Sequence, residues 1–371
     1  MRRHVNLNWK PNPCNLIALV SIIFFIGPFN YSFAQDPNKI LLKNFRPKSI
    51  YKTPETKPLK AAFPVIDMHS HPYAKSVKEI EEWVKTMDEC GIEKTIILTY
   101  ECGNTFDSLY NIYSRFGKHF ELWCGFDYAG YDKPGFGPAA VKELERCFKK
   151  GARGVGELGD KGLGETYSKP VAGIGLHYDD PRMKPLFDKC AELKMPVNIH
   201  VADPIWMYEP MDSTNDGLMN ALEWKIDKSK PGLLDFNQLM QSLENTLKNN
   251  PKTTFITCHF ANCNHDLSIL GRLLDLYPNL YADISARYAE SSTVPRYTKA
   301  FYVKYQDRLL YGTDMGTEAS MYKITFRILE TSDEHFYDIE RFGYHWALNG
   351  LDIPVDIVKK IYRENALKLL K

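Results

Sequence analysis

From Pro64 onward the chain repeats one pattern: a short apolar run, then a longer segment with the 3.6-residue period of a helix. The strand-like runs are Val65–His69, Thr95–Thr99, Leu122–Phe126, Ala152–Glu157, Val197–Val201, Thr254–His259, Leu280–Ile284 and Leu309–Gly312. Helical periodicity follows at Val77–Cys90, near Asp107–Phe116, at Ala139–Lys150, Pro181–Leu193, Leu234–Leu247 and Leu267–Leu276, and near Val294–Tyr305. The apolar runs are largely non-alternating, as expected of parallel strands buried on both faces. Eight β-then-α units predict a closed barrel or a doubly wound sheet. No GxGxxG follows the first strand. The nearest approach, Gly154-Val-Gly156 with Gly159, lacks the helix that would complete a phosphate site.

The N-terminal residues follow a different order. Arg2, Arg3 and Lys10 precede an apolar stretch from Leu16 to Phe29, and Ser32-Phe33-Ala34 ends it with small residues. That order predicts a secretory signal peptide over residues 1–34 and a periplasmic or secreted protein. The apolar stretch is short for a membrane span, which needs about 20 residues. Residues 35–63, rich in proline and lysine, read as an N-terminal arm or linker. The barrel is expected over 64–371.

Removing the leader leaves 44 Lys+Arg against 46 Asp+Glu, with no basic block that suggests a nucleic-acid surface. A small-molecule substrate is the expectation. Seven cysteines remain, an odd number without CxxC pairs, and several lie in apolar runs. Buried free thiols are expected.

Barrel enzymes place their chemistry at the C-terminal strand ends. The first strand here runs into Asp67-Met68-His69-Ser70-His71. Glu157, His200 and His259 close the fourth, fifth and sixth, and Asp314 follows the eighth. Only ten histidines occur in the chain, and four of them fall at these ends. Strand residues two apart share a face, so His69 and His71 can reach one ion together. Imidazole and carboxylate donors suit Zn²⁺, and also Mn²⁺ or Fe²⁺.

Asp67-x-His69-x-His71, the histidines of strands five and six, and the late aspartate resemble the amidohydrolase superfamily. Pro196-Val-Asn-Ile-His200, Leu310-Tyr-Gly-Thr-Asp314 and Ile361-Tyr-Arg-Glu-Asn365-Ala-Leu-Lys-Leu-Leu370 are similar to its amidohydrolase-related (family 2) branch. The resemblance spans about residues 64–370. It implies a distorted (β/α)8 TIM barrel, an α/β fold, holding one or two divalent ions, zinc first and manganese second. It makes His69, His71 and His200 metal ligands. Asp314 becomes a ligand, the general base and acid for metal-activated water, or both, and His259 an acid, base or second-ion ligand. A carboxylate at Glu157 resembles the bridging ligand of two-metal hydrolases, whereas the decarboxylase branch generally lacks one there. The competing expectation pairs Glu157 with Lys161 or Arg153 at the rim.

Arg287 is a candidate anchor for a substrate carboxylate, or else a rim salt bridge. Trp206 and Tyr208 lie on the long loop from Asp203 to Pro231. They suit a lid over a cyclic substrate, or contacts within a homo-oligomer. Asp179-Asp180-Pro181 reads as a helix start. The leading expectation is a metal-dependent hydrolase of an ester, lactone or amide. The alternatives are non-oxidative decarboxylation of an aromatic or unsaturated acid, and a non-catalytic binding barrel.

Overall fold

The computed structural model describes residues 36–159, 168–224, 226–227, 229–230 and 232–370. The leader expected over residues 1–34 and Lys161 lie outside them. Two compact units divide the chain, one before Leu42 and one from Leu42 to Lys371. In the first, a 3-10 turn at Pro37–Lys39 is capped by the Asp36 side chain.

The second unit is the barrel. Its strands are β1 (Val65–Ser70), β2 (Ile92–Leu98), β3 (Phe120–Trp123), β4 (Val155–Leu158), β5 (Val197–Ile199), β6 (Phe255–Thr257), β7 (Leu280–Asp283) and β8 (Leu309–Leu310). They pair in parallel in chain order, as β1-β2-β3 and β4 through β8. A parallel bridge between Cys124 and Val155 joins the two groups. Met68 N–H donates to the Tyr311 carbonyl at 2.9 Å, and Thr313 N–H to the His69 carbonyl at 3.1 Å. The ring is therefore closed between β8 and β1. At this seam Gly312 approaches so closely that an added Cβ would stand 2.8 Å from the His69 Cβ.

Helices α1 (Val77–Cys90), α2 (Gly103–Tyr113), α3 (Phe136–Lys150) and α4 (Lys184–Leu193) follow the first four strands. Then come α5 (Leu218–Trp224) and α6 (Phe236–Asn249) after β5, and α7 (Leu267–Leu276) after β6. Helices α8 (Tyr288–Thr293) and α9 (Pro295–Lys304) follow β7, and α10 (Ala319–Glu330) follows β8. Local chemistry sets their ends. Ser76 and Glu79 form a capping box at the start of α1, and Gly91, at φ 85°, ends it in the left-handed region. Asp235 and Gln238 start α6 in the same way. Asp180 accepts from Arg182 N–H ahead of α4, the capping role its sequence suggested.

Every residue of β1 is buried, the polar Asp67, His69 and Ser70 included. Ile66, Met68, Ile96, Leu98, Trp123, Ile256 and Leu310 pack together inside the ring. Ile80, Trp83, Met87 and Cys90 give α1 a face at helical spacing, and it packs into the larger layer between strands and helices. Burying one such large side chain stabilises the fold by about 1.5–3 kcal/mol. All seven described cysteines are free. Residues 46–62 lie along α10 and the loop after it. Thr56 N–H donates to both Asp333 carboxylate oxygens (2.9 and 2.8 Å), and Ala62 N–H donates to Glu330 at 3.2 Å. No helix among the described residues is long and apolar enough to cross a membrane.

Candidate metal centre

The strand ends bring His69, His71, Glu157, His200, His259 and Asp314 together at one mouth of the barrel. His71 Nε2 lies 3.3 Å from Glu157 Oε2 and 3.1 Å from Asp314 Oδ1. His69 Nε2 stands 3.8 and 3.9 Å from the same two atoms. His259 Nε2 is 3.7 Å from Glu157 Oε1 and 3.7 Å from Asp314 Oδ2. His200 reaches Glu157 Oε1 with Nδ1 at 2.6 Å. Glu157 is 1% exposed and sits among all four rings. The rim pairing with Arg153 does not occur: that guanidinium donates to the Phe148 and Ala152 carbonyls.

The hydrogen bonds behind the rings fix which nitrogen faces the centre. His71 Nδ1 is 2.9 Å from the Leu98 carbonyl, and His259 Nδ1 is 3.0 Å from the Ser285 carbonyl. A carbonyl only accepts, so both Nδ1 atoms carry the proton. His69 Nδ1 donates in the same way to Asp283 Oδ2 at 2.9 Å. Each neutral ring therefore turns an Nε2 lone pair toward Glu157 and Asp314. Acceptors then face acceptors, and buried His69 Nε2 has no hydrogen-bond partner. Only positive charge between them relieves this. Burial pulls His69 toward neutrality, yet the charges of Asp283, Asp314 and Glu157 lift its pKa to about 9. Burial also acts against protonation of His71, and Asp314 and Glu157 overcome it. A divalent cation meets the same demand without protonating any ring. The donor set fits such an ion: His69, His71 and Asp314 form one compact group, and His69, Glu157, Cys258 and His259 another.

Three contributors escaped the sequence reading. Asp283 is fully buried behind the rings, and its carboxylate accepts from His69 Nδ1, Asn198 Nδ2 at 3.1 Å, and the His259 and Ser285 backbone N–H groups at 3.0 and 3.1 Å. Burial would raise its pKa, but the His69 ring draws it down to about 2. Cys258, expected to be a bland buried thiol, has its Sγ in the cluster, 2.8 Å from Asn198 Oδ1. Tyr73 donates its hydroxyl to Asp314 Oδ1 at 3.1 Å. Asp67, although part of the HxH motif, turns away from the cluster. It accepts from Thr313 N–H (3.0 Å), Thr313 Oγ1 (2.6 Å) and His69 N–H (3.1 Å), tying β1 to the segment that carries Asp314.

The backbone here is strained. His259, Phe260, Ala261 and Asn262 have φ of 56°, 55°, 53° and 57°, and Asp314 has φ of 54°. Left-handed non-glycine residues cost on the order of 1–2 kcal/mol each. They persist where surrounding contacts over-determine them, which is common at functional sites.

A cavity of about 540 Å³ opens over the cluster, lined by His200, His259, Asp314, Tyr208 and Arg287 among others. Arg287 donates through Nε to Asn262 Oδ1 (2.7 Å) and through Nη1 to Glu290 Oε1 (2.8 Å), so it is both an ion-pair member and a cavity wall. Lys230 and Arg341 line the same cavity. Trp206 does not. It packs edge-on against Tyr344 and Trp346 and lines a second cavity instead. Trp206 lies within a 3-10 turn at Ile205–Met207 that Tyr208 caps, a local helix that loop composition did not reveal.

The family described as Amidohydrolase matches residues 126–371. No curated protein matches the sequence. Among solved structures, an uncharacterized TIM-barrel protein of Bordetella bronchiseptica is 17% identical, with a TM-score of 0.55 over 83% of this chain and 98% of that one. A 2,6-dihydroxybenzoate decarboxylase from Rhizobium is 16% identical, with a TM-score of 0.52 over 83% and 98%. A 5-carboxyvanillate decarboxylase from Novosphingobium aromaticivorans, solved with manganese, is 14% identical, with a TM-score of 0.52 over 85% and 99%. These likenesses establish the barrel fold.

Proposed function

Since this chain belongs to the amidohydrolase family, we propose that it is a metal-dependent hydrolase acting on a small ester, lactone or amide that bears a carboxylate or a ring. Its metal would be held by His69, His71, His200, Glu157 and Asp314, with His259 beside them. Zinc is the first choice and manganese the second, in one or two sites. Bound there, a divalent ion supplies Lewis acidity that polarises a carbonyl and brings the pKa of water toward neutrality. The observation that carries the hydrolytic reading is Glu157: a buried carboxylate 2.6 Å from His200 Nδ1 and 3.3 Å from His71 Nε2, placed to serve ligands on both sides of the cluster.

Asp314 is the base. Its side chain is 22% exposed, whereas the Glu157 side chain is at 1%, so Asp314 is the cluster carboxylate that reaches the cavity. The nearby rings hold its carboxyl well below the usual range despite burial. It therefore meets substrate as an anion, takes the proton of the attacking water, and returns it to the leaving group. Tyr73, bonded to Oδ1, restrains the carboxylate in that position. Arg287, Lys230 and Arg341 supply positive charge to the cavity wall, which suits a substrate carboxylate.

Arg287 and His259 line the same cavity, which also favours a second reading, decarboxylation, with the acid held by Arg287 and a proton delivered by His259. Metal-stripped and zinc- or manganese-reloaded protein assayed on ester, lactone, amide and aromatic-acid panels separates the two. Metal-dependent hydrolysis lost in Asp314→Asn supports the first. CO2 release without hydrolysis replaces it with the second, and turnover that survives stripping refutes both. The basic and apolar order of residues 1–34 supports export. A mature N-terminus upstream of residue 30 would refute cleavage at the expected place.

A further inference from the structure

The cluster at the barrel mouth contains a donor that the ligand set above leaves out. Cys258 directly follows β6. Ile256, two residues before it, packs inside the ring, so the two side chains share the inward face. In an extended chain the next side chain, His259, would point the other way. At His259 φ and ψ are instead 56° and 41°. This left-handed turn brings two consecutive side chains to one place, and donor atoms of His69, Glu157, Cys258 and His259 all lie within 4.8 Å of one another. We propose that Cys258 is a thiolate ligand of the metal centre, forming with His69, Glu157 and His259 a buried position that prefers zinc to manganese.

An independent observation marks this position. His69 Nε2 is buried and has no hydrogen-bond partner, and its one lone pair can serve one ion. All four side chains of the group are buried, whereas those of His71 and Asp314 are partly exposed. The Cys258 group is therefore the closed side of the centre, and His71 and Asp314 form its open side. The sulfur is also held in place. Its thiol donates to Asn198 Oδ1 at 2.8 Å, and Asn198 Nδ2 donates to Asp283 Oδ2 at 3.1 Å. The carboxylate that orients His69 thus fixes Cys258 as well, through one amide. Metal binding exchanges the S–H bond for a sulfur–metal bond and releases the proton to solvent water. Sulfur then sets the choice of ion, because thiolate and imidazole together suit zinc, while carboxylate and water suit manganese.

The inference rests on the divalent centre of the proposed function but not on its reaction, so metal binding is read without turnover. Full-chain protein is stripped and loaded separately with cobalt, zinc and manganese. The cobalt form is expected to show a thiolate-to-metal charge-transfer band in the near ultraviolet, retained in Cys102→Ser and absent in Cys258→Ser. Zinc-edge X-ray absorption of the unaltered protein is expected to show one sulfur at about 2.3 Å, and it decides the question where Cys258→Ser fails to fold. Losing even an outer partner of a metal ligand costs 10–100-fold in affinity, so Cys258→Ser lowers zinc affinity at least about tenfold in chelator competition. Manganese affinity falls by less than about threefold, since that ion gains little from sulfur. Zinc with only nitrogen and oxygen neighbours, a cobalt band unchanged in Cys258→Ser, or equal losses for zinc and manganese overturns the inference and leaves the hydrolytic reading standing. Sulfur on the zinc of a protein that hydrolyses no ester, lactone or amide supports the inference and overturns that reading.

Discussion

Replacing Asp283 with asparagine tests whether the ring tautomers are set from behind. Its Oδ2 accepts from His69 Nδ1 at 2.9 Å and Asn198 Nδ2 at 3.1 Å, while Oδ1 accepts from the His259 and Ser285 backbone N–H groups. Asparagine keeps one acceptor. With its oxygen on the two backbone donors, its NH2 faces His69 Nδ1 and Asn198 Nδ2, donor against donor. His69 relieves the clash by moving its proton to Nε2, the atom that faces Glu157 and Asp314. One ligand lone pair is then lost from the cluster. Losing such an outer partner typically costs 10–100-fold in metal affinity, or about 1.4–2.8 kcal/mol at 1.4 kcal/mol per tenfold. Chelator-competition titration of zinc measures this, with circular dichroism confirming that the variant is folded. A folded Asp283→Asn protein with wild-type zinc affinity would falsify the reasoning.

Further outcomes follow from the same geometry. Gly312→Ala should displace His69, because the new methyl would stand 2.8 Å from the His69 Cβ; zinc content by elemental analysis falls, and full occupancy would contradict the tight seam between β8 and β1. Removing metal from loaded protein should lower the melting temperature, since a ligand present at 100 times its Kd stabilises by about 2.7 kcal/mol; identical melts with and without chelator would argue against a bound ion. Burial raises the pKa of Glu330, against the hydrogen bonds it accepts from Tyr362 and Ala62. The folded protein thus holds that proton more tightly than the unfolded chain, so stability declines as pH rises from the ordinary glutamate pKa through the raised one. Glu330→Gln keeps an acceptor for both donors, so it should flatten that decline in pH-dependent denaturation curves. An unchanged slope would show that Glu330 does not contribute.

The strand order and the strand-end histidines were legible because burial on both faces leaves a local mark, a short, mainly apolar run such as Ile96-Ile97-Leu98, with the chemistry-bearing residues gathered where such runs meet the barrel mouth. Glu157 was visible as a carboxylate at a strand end, but its place among four rings depends on contacts remote in sequence. Asp283 left a fainter mark: an acid closing a short apolar strand, two residues before Ser285. Its function appears only when β7 is set beside β6 and β1. Asp67 shows the converse. The motif places it with the histidines, and the irregular β1–β2 register between Asp67 and Ser70 accompanies its turn toward Thr313 instead. Trp206 and Tyr208 share a loop, and the 3-10 turn that holds Trp206 and ends at Tyr208 accompanies their lining of different cavities. Helix α5 was equally hidden, since its seven residues are too few for a periodic signal.

Anomalous diffraction from crystals grown with zinc, and separately with manganese, interrogates the cluster directly. The account expects one or two peaks at the metal edge, enclosed by His69, His71, Glu157, His200, His259 and Asp314. Metal-saturated crystals without a peak there, or with the ion held elsewhere by other side chains, would contradict it.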